Sequence, residues 1–131
     1  MDFLAPHSAK VLSLLRIVTA LTFMTHGLMK QFSFPAAMPG AGGAPTGLML
    51  AAAWLEIIGG ALLVLGLFTR PVAFVLSGFM AVAYFMAHAS KSFYPVLNGG
   101  EPAVLFCFIF LYLAFAGGGL WSLDAIVRKR P

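Results

Sequence analysis

The sequence predicts an all-α membrane protein, an up-down-up-down bundle of four transmembrane helices with both termini in the cytoplasm. Composition is the first reason: 61% of the residues are hydrophobic and 9% are charged, whereas soluble domains carry about 25% charged residues. The mean hydropathy is +0.97, which leaves too little polar surface to cover a soluble globule. The second reason is a set of four apolar runs, each near the ~20 residues that a helix needs to cross a bilayer core.

The four runs are interpreted in chain order as the four spans of a single domain over residues 1–131. The first run contains Arg16 and exceeds the about 7–15 residues of a signal-peptide core, so it is predicted to be a span. The third follows Pro71, a residue suited to the first turn of a helix. The fourth follows Glu101, whose carboxylate suits a helix N-terminus. The predicted spans are 11–29, 48–68, 72–89 and 103–121.

The positions of lysine and arginine give the third reason and set the orientation. Lys10, Arg70 and the Arg128-Lys129-Arg130 tail fall on one side of the predicted spans, while Lys30 and Lys91 fall on the other. Cytoplasmic loops carry the excess of basic residues, so both termini are expected in the cytoplasm. A basic tail beside a span contacts anionic lipid headgroups, and we therefore expect membrane lipid and no nucleic acid as a partner.

The single cysteine, Cys107, excludes a thiol-disulfide relay within this chain. It lies inside the fourth apolar run, where it is expected to act as a small buried hydrophobic residue.

The first span carries a polar stripe on one helical face. Arg16, Thr19, Phe23, His26 and Lys30 are spaced three or four residues apart, so they share that face. Lipid is a poor neighbour for such a face, and we expect it to turn toward other helices.

Polar residues from the other segments are predicted to meet the outer end of this stripe. The third span places Tyr84 and His88 near its outer end, and Glu56 lies ~12 Å below the outer face at about 1.5 Å per residue. Asn98 and Glu101 belong to the last outer loop. We therefore expect an extracytoplasmic pocket shared by these segments. Glu56 in particular is a functional candidate, because an ionised carboxylate inside a span costs several kcal/mol unless it is paired or protonated.

Two assignments stay open at this stage. Arg16 is compatible with an ion pair to Asp124, with a reach toward Glu56, or with a role in ligand binding. His26 and His88 are compatible with hydrogen bonds to neighbouring helices or with ligation of a haem. No HxxxH or ExxH spacing indicates a dedicated metal site, so none is predicted.

Four strings of residues occur in order along the chain: His26-Gly27-x-x-Lys30, Glu56-x-x-Gly59-Gly60-x-x-Leu63-x-x-Gly66, Asn98-Gly99-Gly100-Glu101 and Gly117-Gly118-Gly119-x-x-Ser122-Leu123-Asp124. Taken together, they resemble the DoxX family of small four-helix bacterial membrane proteins. One departure concerns the last string, where the family commonly has Gly-Pro-Gly, and this leaves a kink in the last helix open.

The resemblance implies a subunit of a membrane-associated oxidoreductase system. The family is named for the small quinone-reducing subunit of an archaeal thiosulfate:quinone oxidoreductase, and other relatives are linked to oxidative and thiol stress or to quinone and catechol detoxification. It points to a site built from His26, Lys30, Glu56, His88, Asn98, Glu101 and Asp124, with Arg16 on the polar stripe.

The function expected from these arguments is a multi-pass subunit of the bacterial inner membrane that binds a quinone or a quinone-like aromatic. Reducing a quinone takes two electrons and two protons, so the electrons must come from a partner redox protein or from a bound haem. The alternatives are a non-catalytic anchor or assembly subunit and, less favoured, a small transporter or proton pathway. Oligomeric state is left open. The predicted catalytic residues are Glu56, His26 and His88, and the predicted cofactor-binding residues are Arg16, Lys30, Tyr84, Asn98 and Glu101.

Overall fold

The structure, a computed structural model, describes residues 1–129, so Arg130 of the predicted basic tail lies outside it. Over those residues the chain is helical and contains no strand, which confirms the all-α prediction. A 3₁₀ helix, Asp2–His7, leads directly into the first α-helix. The α-helices are α1 (Ser8–Phe32), α2 (Gly47–Leu65), α3 (Thr69–Ala87), α4 (Pro95–Asn98), α5 (Glu101–Ala116) and α6 (Leu123–Val127).

Three helical segments of the described chain are long and apolar enough to cross a membrane. They are Asp2–Phe32, Gly47–Leu65 and Thr69–Ala87. The fourth apolar helix, α5, has 16 residues and therefore extends about 24 Å. It stops short of the predicted end at residue 121 because Gly117 adopts φ 86° and ψ −167°, which breaks the helix. The four-span topology and the cytoplasmic termini stay predictions.

The chain divides into two compact units, and the first contains α1, α2 and the segment that begins at Gly118. In this unit α1 packs against α2. Its contacts pair rising residue numbers in α1 with falling numbers in α2, so the two helices are antiparallel. Helix α2 ends where Gly66 enters the left-handed region at φ 68°. The amide of Asp124 donates to the carbonyl of Gly66 at 2.9 Å, which ties the C-terminal segment to the end of α2.

The second unit spans Phe68–Gly117 and is built on α3 and α5. The two helices pack against each other, and the core between them includes Leu76, Phe110 and Leu113, each 0% exposed. The hydroxyl of Ser77 donates to the carbonyl of Cys107 at 2.8 Å, which adds a polar contact between the helices. Large apolar side chains on the outer faces are exposed, as contact with lipid requires. They include Phe74, Phe85, Phe108 and Phe115.

Candidate functional site

An ion pair between Lys30 and Glu56 is buried in the α1–α2 unit. The Nζ atom of Lys30 donates to Oε1 of Glu56 at 2.6 Å, with side-chain exposures of 12% and 4%. Both groups lie in helices apolar enough to span a membrane. Because isolated charges in such surroundings are costly, each group stabilises the other in its charged form.

Close contact between the two helices brings this pair together. A Cβ atom on Gly27 would lie 2.6 Å from the carbonyl oxygen of Ala53, and one on Gly60 would lie 2.8 Å from Cβ of Met24. Real Cβ atoms do not approach so closely, so glycine is required for this spacing. Lys30 lies about one turn beyond Gly27, where its flexible side chain reaches Glu56. The first two motif strings therefore encode a helix contact and the ion pair beside it.

The second carboxylate oxygen of Glu56 has no hydrogen-bond partner although it is buried. Oε2 is one of a few buried side-chain oxygen and nitrogen atoms without a partner among the described residues. Carboxylate oxygens in such surroundings normally accept at least one hydrogen bond. His26 is half-buried one turn before Lys30 on α1 and interacts electrostatically with it. The arrangement places an ammonium donor, an imidazole and an unfilled carboxylate oxygen in one unit.

Arg16 occupies a different environment, at the other end of the α1–α2 unit. The side chain is 0% exposed. Its guanidinium donates to the carbonyls of Gly118 and Trp121, the latter at 2.7 Å, and makes a longer contact of 3.4 Å to the carbonyl of Val64. Asp124 interacts with it electrostatically. Of the open alternatives, this geometry favours a structural role near Asp124, and Glu56 is paired with Lys30 instead.

Ser13, which the sequence analysis did not single out, completes this cluster. Its hydroxyl accepts from the amide of Trp121 at 3.0 Å and donates to the carbonyl of Ala9 at 3.2 Å or that of Gly118 at 3.3 Å. Ser13 lies three residues before Arg16 and so extends the polar stripe by one turn. This spacing of three residues is the sequence feature from which Ser13 could have been predicted to join the cluster. We refer to Arg16, Ser13 and the segment 118–122 that they bind as the arginine clamp.

The α3–α5 unit contains its own polar cluster around Asn98. The imidazole Nδ1 of His88 lies 3.0 Å from the carbonyl oxygen of Asn98, and the side-chain amide of Asn98 donates to Tyr84 Oη at 3.0 Å. Asn98 is 3% exposed. The rings of Tyr84 and His88 are stacked with their centroids 6.3 Å apart. Glu101 is exposed at the start of α5.

The structure therefore shows two separate groupings of the predicted residues, one in each unit. His26, Lys30 and Glu56 lie together on α1 and α2. Tyr84 on α3, His88 directly after α3 and Asn98 at the end of α4 lie together in the other unit. The convergence of both groups on one extracytoplasmic pocket stays a prediction. Within residues 1–129, no cluster of three or more histidine, cysteine, aspartate or glutamate residues is arranged to hold a metal ion.

Comparison with known proteins bears directly on the resemblance noted in the motifs. The model of the DoxX family matches residues 11–89, which cover α2, α3 and all but the first turn of α1. The chain belongs to the DoxX family. No solved structure matches it.

Two relatives extend the match across nearly the whole DoxX chain. A Haemophilus influenzae protein, described as uncharacterized, is 44% identical over 128 residues, which cover 95% of this chain and 96% of that protein. A Bacillus subtilis protein named Putative oxidoreductase CatD is 30% identical over 118 residues, 88% of this chain and 86% of that protein. These matches and the apolar helices establish a DoxX membrane protein.

Proposed function

We propose that this DoxX protein is a membrane subunit of an oxidoreductase system and that its α1–α2 unit binds a quinone or quinone-like aromatic at the Lys30–Glu56 pair. The observation that carries the proposal is the buried, unpartnered Oε2 of Glu56 beside a buried ammonium. The family relationship supports it, since a relative carries the name Putative oxidoreductase CatD.

The chemistry of a quinone fits the groups at this pair. A quinone carbonyl needs a hydrogen-bond donor, and the ammonium of Lys30 has N–H groups beyond the one directed at Glu56. Reduction adds two electrons and two protons, so the site also needs a group that holds and releases protons. The carboxylate of Glu56 can take this role with Oε2, and the imidazole of His26, one helical turn before Lys30, is a second group that can bind and release a proton.

The electrons come from outside this chain in the proposed reaction. A partner redox protein would deliver two electrons to the bound quinone. Two protons would come from the aqueous phase, taken up by the Glu56 carboxylate and the His26 imidazole and passed to the two oxygens of the quinone, and the product is the quinol. The bacterial inner membrane is the expected location, because quinones dissolve in its hydrocarbon core.

Quinone binding can be measured with the protein reconstituted in lipid nanodiscs. Trp54 lies on α2, two residues before Glu56, so in a Trp121→Phe background a quinone bound at the pair should quench the fluorescence of Trp54. Titration with a short-chain ubiquinone should give saturable quenching. Glu56→Gln and Lys30→Met should each raise the dissociation constant at least tenfold, which corresponds to about 1.4 kcal/mol.

Matched controls separate binding from general charge effects and from misfolding. Lys91→Met and Asp2→Asn remove the same charges from exposed positions and should leave the dissociation constant unchanged. Circular dichroism and size-exclusion chromatography should show that each variant is folded. Absence of saturable quenching in the unmodified protein, or unchanged affinity in the folded Glu56 and Lys30 variants, would reject the quinone site. A different result would favour an anchor subunit instead. In that case Glu56→Gln and Lys30→Met would unfold the protein in detergent but leave its binding to the partner protein in native membrane intact.

A further inference from the structure

The hydrogen bond at Nδ1 of His88 determines which imidazole nitrogen carries the proton. Its partner at 3.0 Å is the backbone carbonyl oxygen of Asn98, which can only accept. Nδ1 must therefore be the protonated nitrogen. In neutral imidazole the other nitrogen, Nε2, then has a free lone pair and acts as an acceptor. Among residues 1–129 the structure records no hydrogen-bond partner for Nε2 of His88.

Asn98 is held firmly enough to impose this arrangement. The amide of Gly100 donates to its Oδ1 at 2.8 Å, and since an N–H can only donate, the orientation of the side-chain amide follows. Its Nδ2 then donates to Tyr84 Oη at 3.0 Å and to the carbonyl of Ser92 at 3.0 Å. Asn98 is 3% exposed, and its side-chain oxygen and nitrogen both have partners.

The same contacts determine the role of Tyr84. Because its oxygen accepts from Asn98, its own O–H hydrogen is available to donate elsewhere. Gly100 allows the loop to pack this closely, since a Cβ there would lie 2.5 Å from the Tyr84 ring. Asn98 thus directs one acceptor, on His88, and one donor, on Tyr84, away from itself. The Tyr84 ring stacks on the imidazole of His88, and Phe85 makes an edge contact with Tyr84 at 5.4 Å between centroids.

We propose that Nε2 of His88, oriented by Asn98, accepts a hydrogen bond from the hydroxyl of an aromatic diol, so that the α3–α5 unit binds the reduced, hydroxylated form of a quinone-class ligand. A quinone carbonyl has no proton to give to Nε2, whereas a quinol hydroxyl has one. This inference rests on the proposed function only for the class of ligand.

Nitrogen-15 NMR on protein with labelled histidine, reconstituted in nanodiscs, tests the first step. In the neutral imidazole of His88 the proton should be on Nδ1, and the His88 signals can be assigned by their loss in His88→Gln. This tautomer is the opposite of the one that free imidazole side chains prefer in water. A His88 signal with the proton on Nε2 would overturn the proposal before any ligand is added.

The second step uses 1,4-dihydroxynaphthalene, kept reduced under anaerobic conditions, and its dimethyl ether as the matched probe without a hydroxyl proton. The diol should shift the Nε2 signal saturably and the ether should not. By an independent binding measurement, His88→Gln should weaken diol binding at least tenfold and Tyr84→Phe about threefold to tenfold. His7→Gln, at an exposed position, should not alter it. Equal responses to diol and ether, or unaltered diol binding in folded His88→Gln, would overturn the inference.

The two proposals fail separately. The His88 signal reports on the α3–α5 unit, whereas quenching of Trp54 reports on the Lys30–Glu56 pair. A diol-responsive Nδ1–H imidazole in protein that shows no quinone quenching would support this inference while rejecting the proposed quinone site. The opposite result would retain the quinone site and reject the role of His88.

Discussion

Replacing Arg16 by methionine should destabilise the protein, because the arginine clamp depends on its two shortest hydrogen bonds. Charge-assisted hydrogen bonds contribute about 1.5–3 kcal/mol each, so losing those to Gly118 and Trp121 sets an upper limit of about 3–6 kcal/mol. Methionine also removes a buried charge, which returns part of the desolvation cost. The lower limit is the cost of leaving the Trp121 carbonyl without a donor, about 1–3 kcal/mol. The Gly118 carbonyl adds nothing to this limit, because it can still accept a hydrogen bond from the hydroxyl of Ser13. We expect a loss of about 3 kcal/mol, between these limits.

The assay is unfolding in mixed micelles with increasing sodium dodecyl sulfate, followed by tryptophan fluorescence in a Trp54→Phe background, where Trp121 is the emitting tryptophan. Trp121 lies inside the clamp, so its emission reports directly on release of the segment. Lys10→Met removes a positive charge from an exposed position on the same helix and should change the unfolding free energy by less than about 0.5 kcal/mol.

Arg16→Lys distinguishes geometry from charge. Lysine keeps the charge but has no planar fork, so it cannot donate to two carbonyls in the same geometry. The Arg16→Lys protein should therefore be destabilised to nearly the same extent as the Arg16→Met protein. If Arg16→Met unfolds at the same detergent fraction as the unmodified protein, the hydrogen bonds of the clamp contribute no net stability and the reasoning is refuted. A fully stable Arg16→Lys would show that charge alone suffices.

Three further predictions concern helix contacts. Gly27→Ala should separate α1 from α2 and reduce stability. Gly78→Ala, where a Cβ meets nothing within 4 Å, should instead stabilise α3 by up to about 1 kcal/mol. Detergent unfolding measures both variants, and equal effects on the unfolding free energy would contradict the close contact at Gly27. Ser77→Ala should cost about 0.6 kcal/mol, the average for hydrogen bonds between membrane helices, in the same assay; a loss of several kcal/mol would contradict this estimate. Gly100→Ala should disturb the Tyr84 ring and shift the His88 imidazole signals in NMR spectra, and unchanged signals would show that the loop tolerates a methyl group.

Hydropathy predicted the helices well where the helix end is also the end of an apolar run. Helices α1, α2 and α3 lie within about three residues of the predicted spans. The end of α5 was wrong because hydropathy counts an apolar residue equally in any backbone conformation. Gly117 and its two glycine neighbours keep the run apolar to Trp121, but the positive φ of Gly117 ends the helix.

The sequence predicted which residues belong to the candidate site, but it did not predict which of them contact each other. Glu56 and Lys30 were selected because charges are costly in a membrane, but their contact depends on the register of two helices joined by 14 residues, 33–46. Nothing in the spacing along one helix reveals that register. The carbonyl partners of Arg16 could not be predicted either, since they belong to a backbone segment that folds back as irregular structure.

The contact of α1 with α2 at Gly27 and Gly60 also limits how anything reaches the Lys30–Glu56 pair. At Gly27 the two helices are so close that even a methyl group does not fit between them. A flat ring or a lipid tail therefore cannot pass through this seam, the contact between α1 and α2. The ligand proposed for Oε2 of Glu56 would therefore reach it from outside this seam. Lys30 lies in the last turn of α1, directly before the connection 33–46, so related chains that differ in the length or composition of that connection are expected to differ in the size of molecule that they admit.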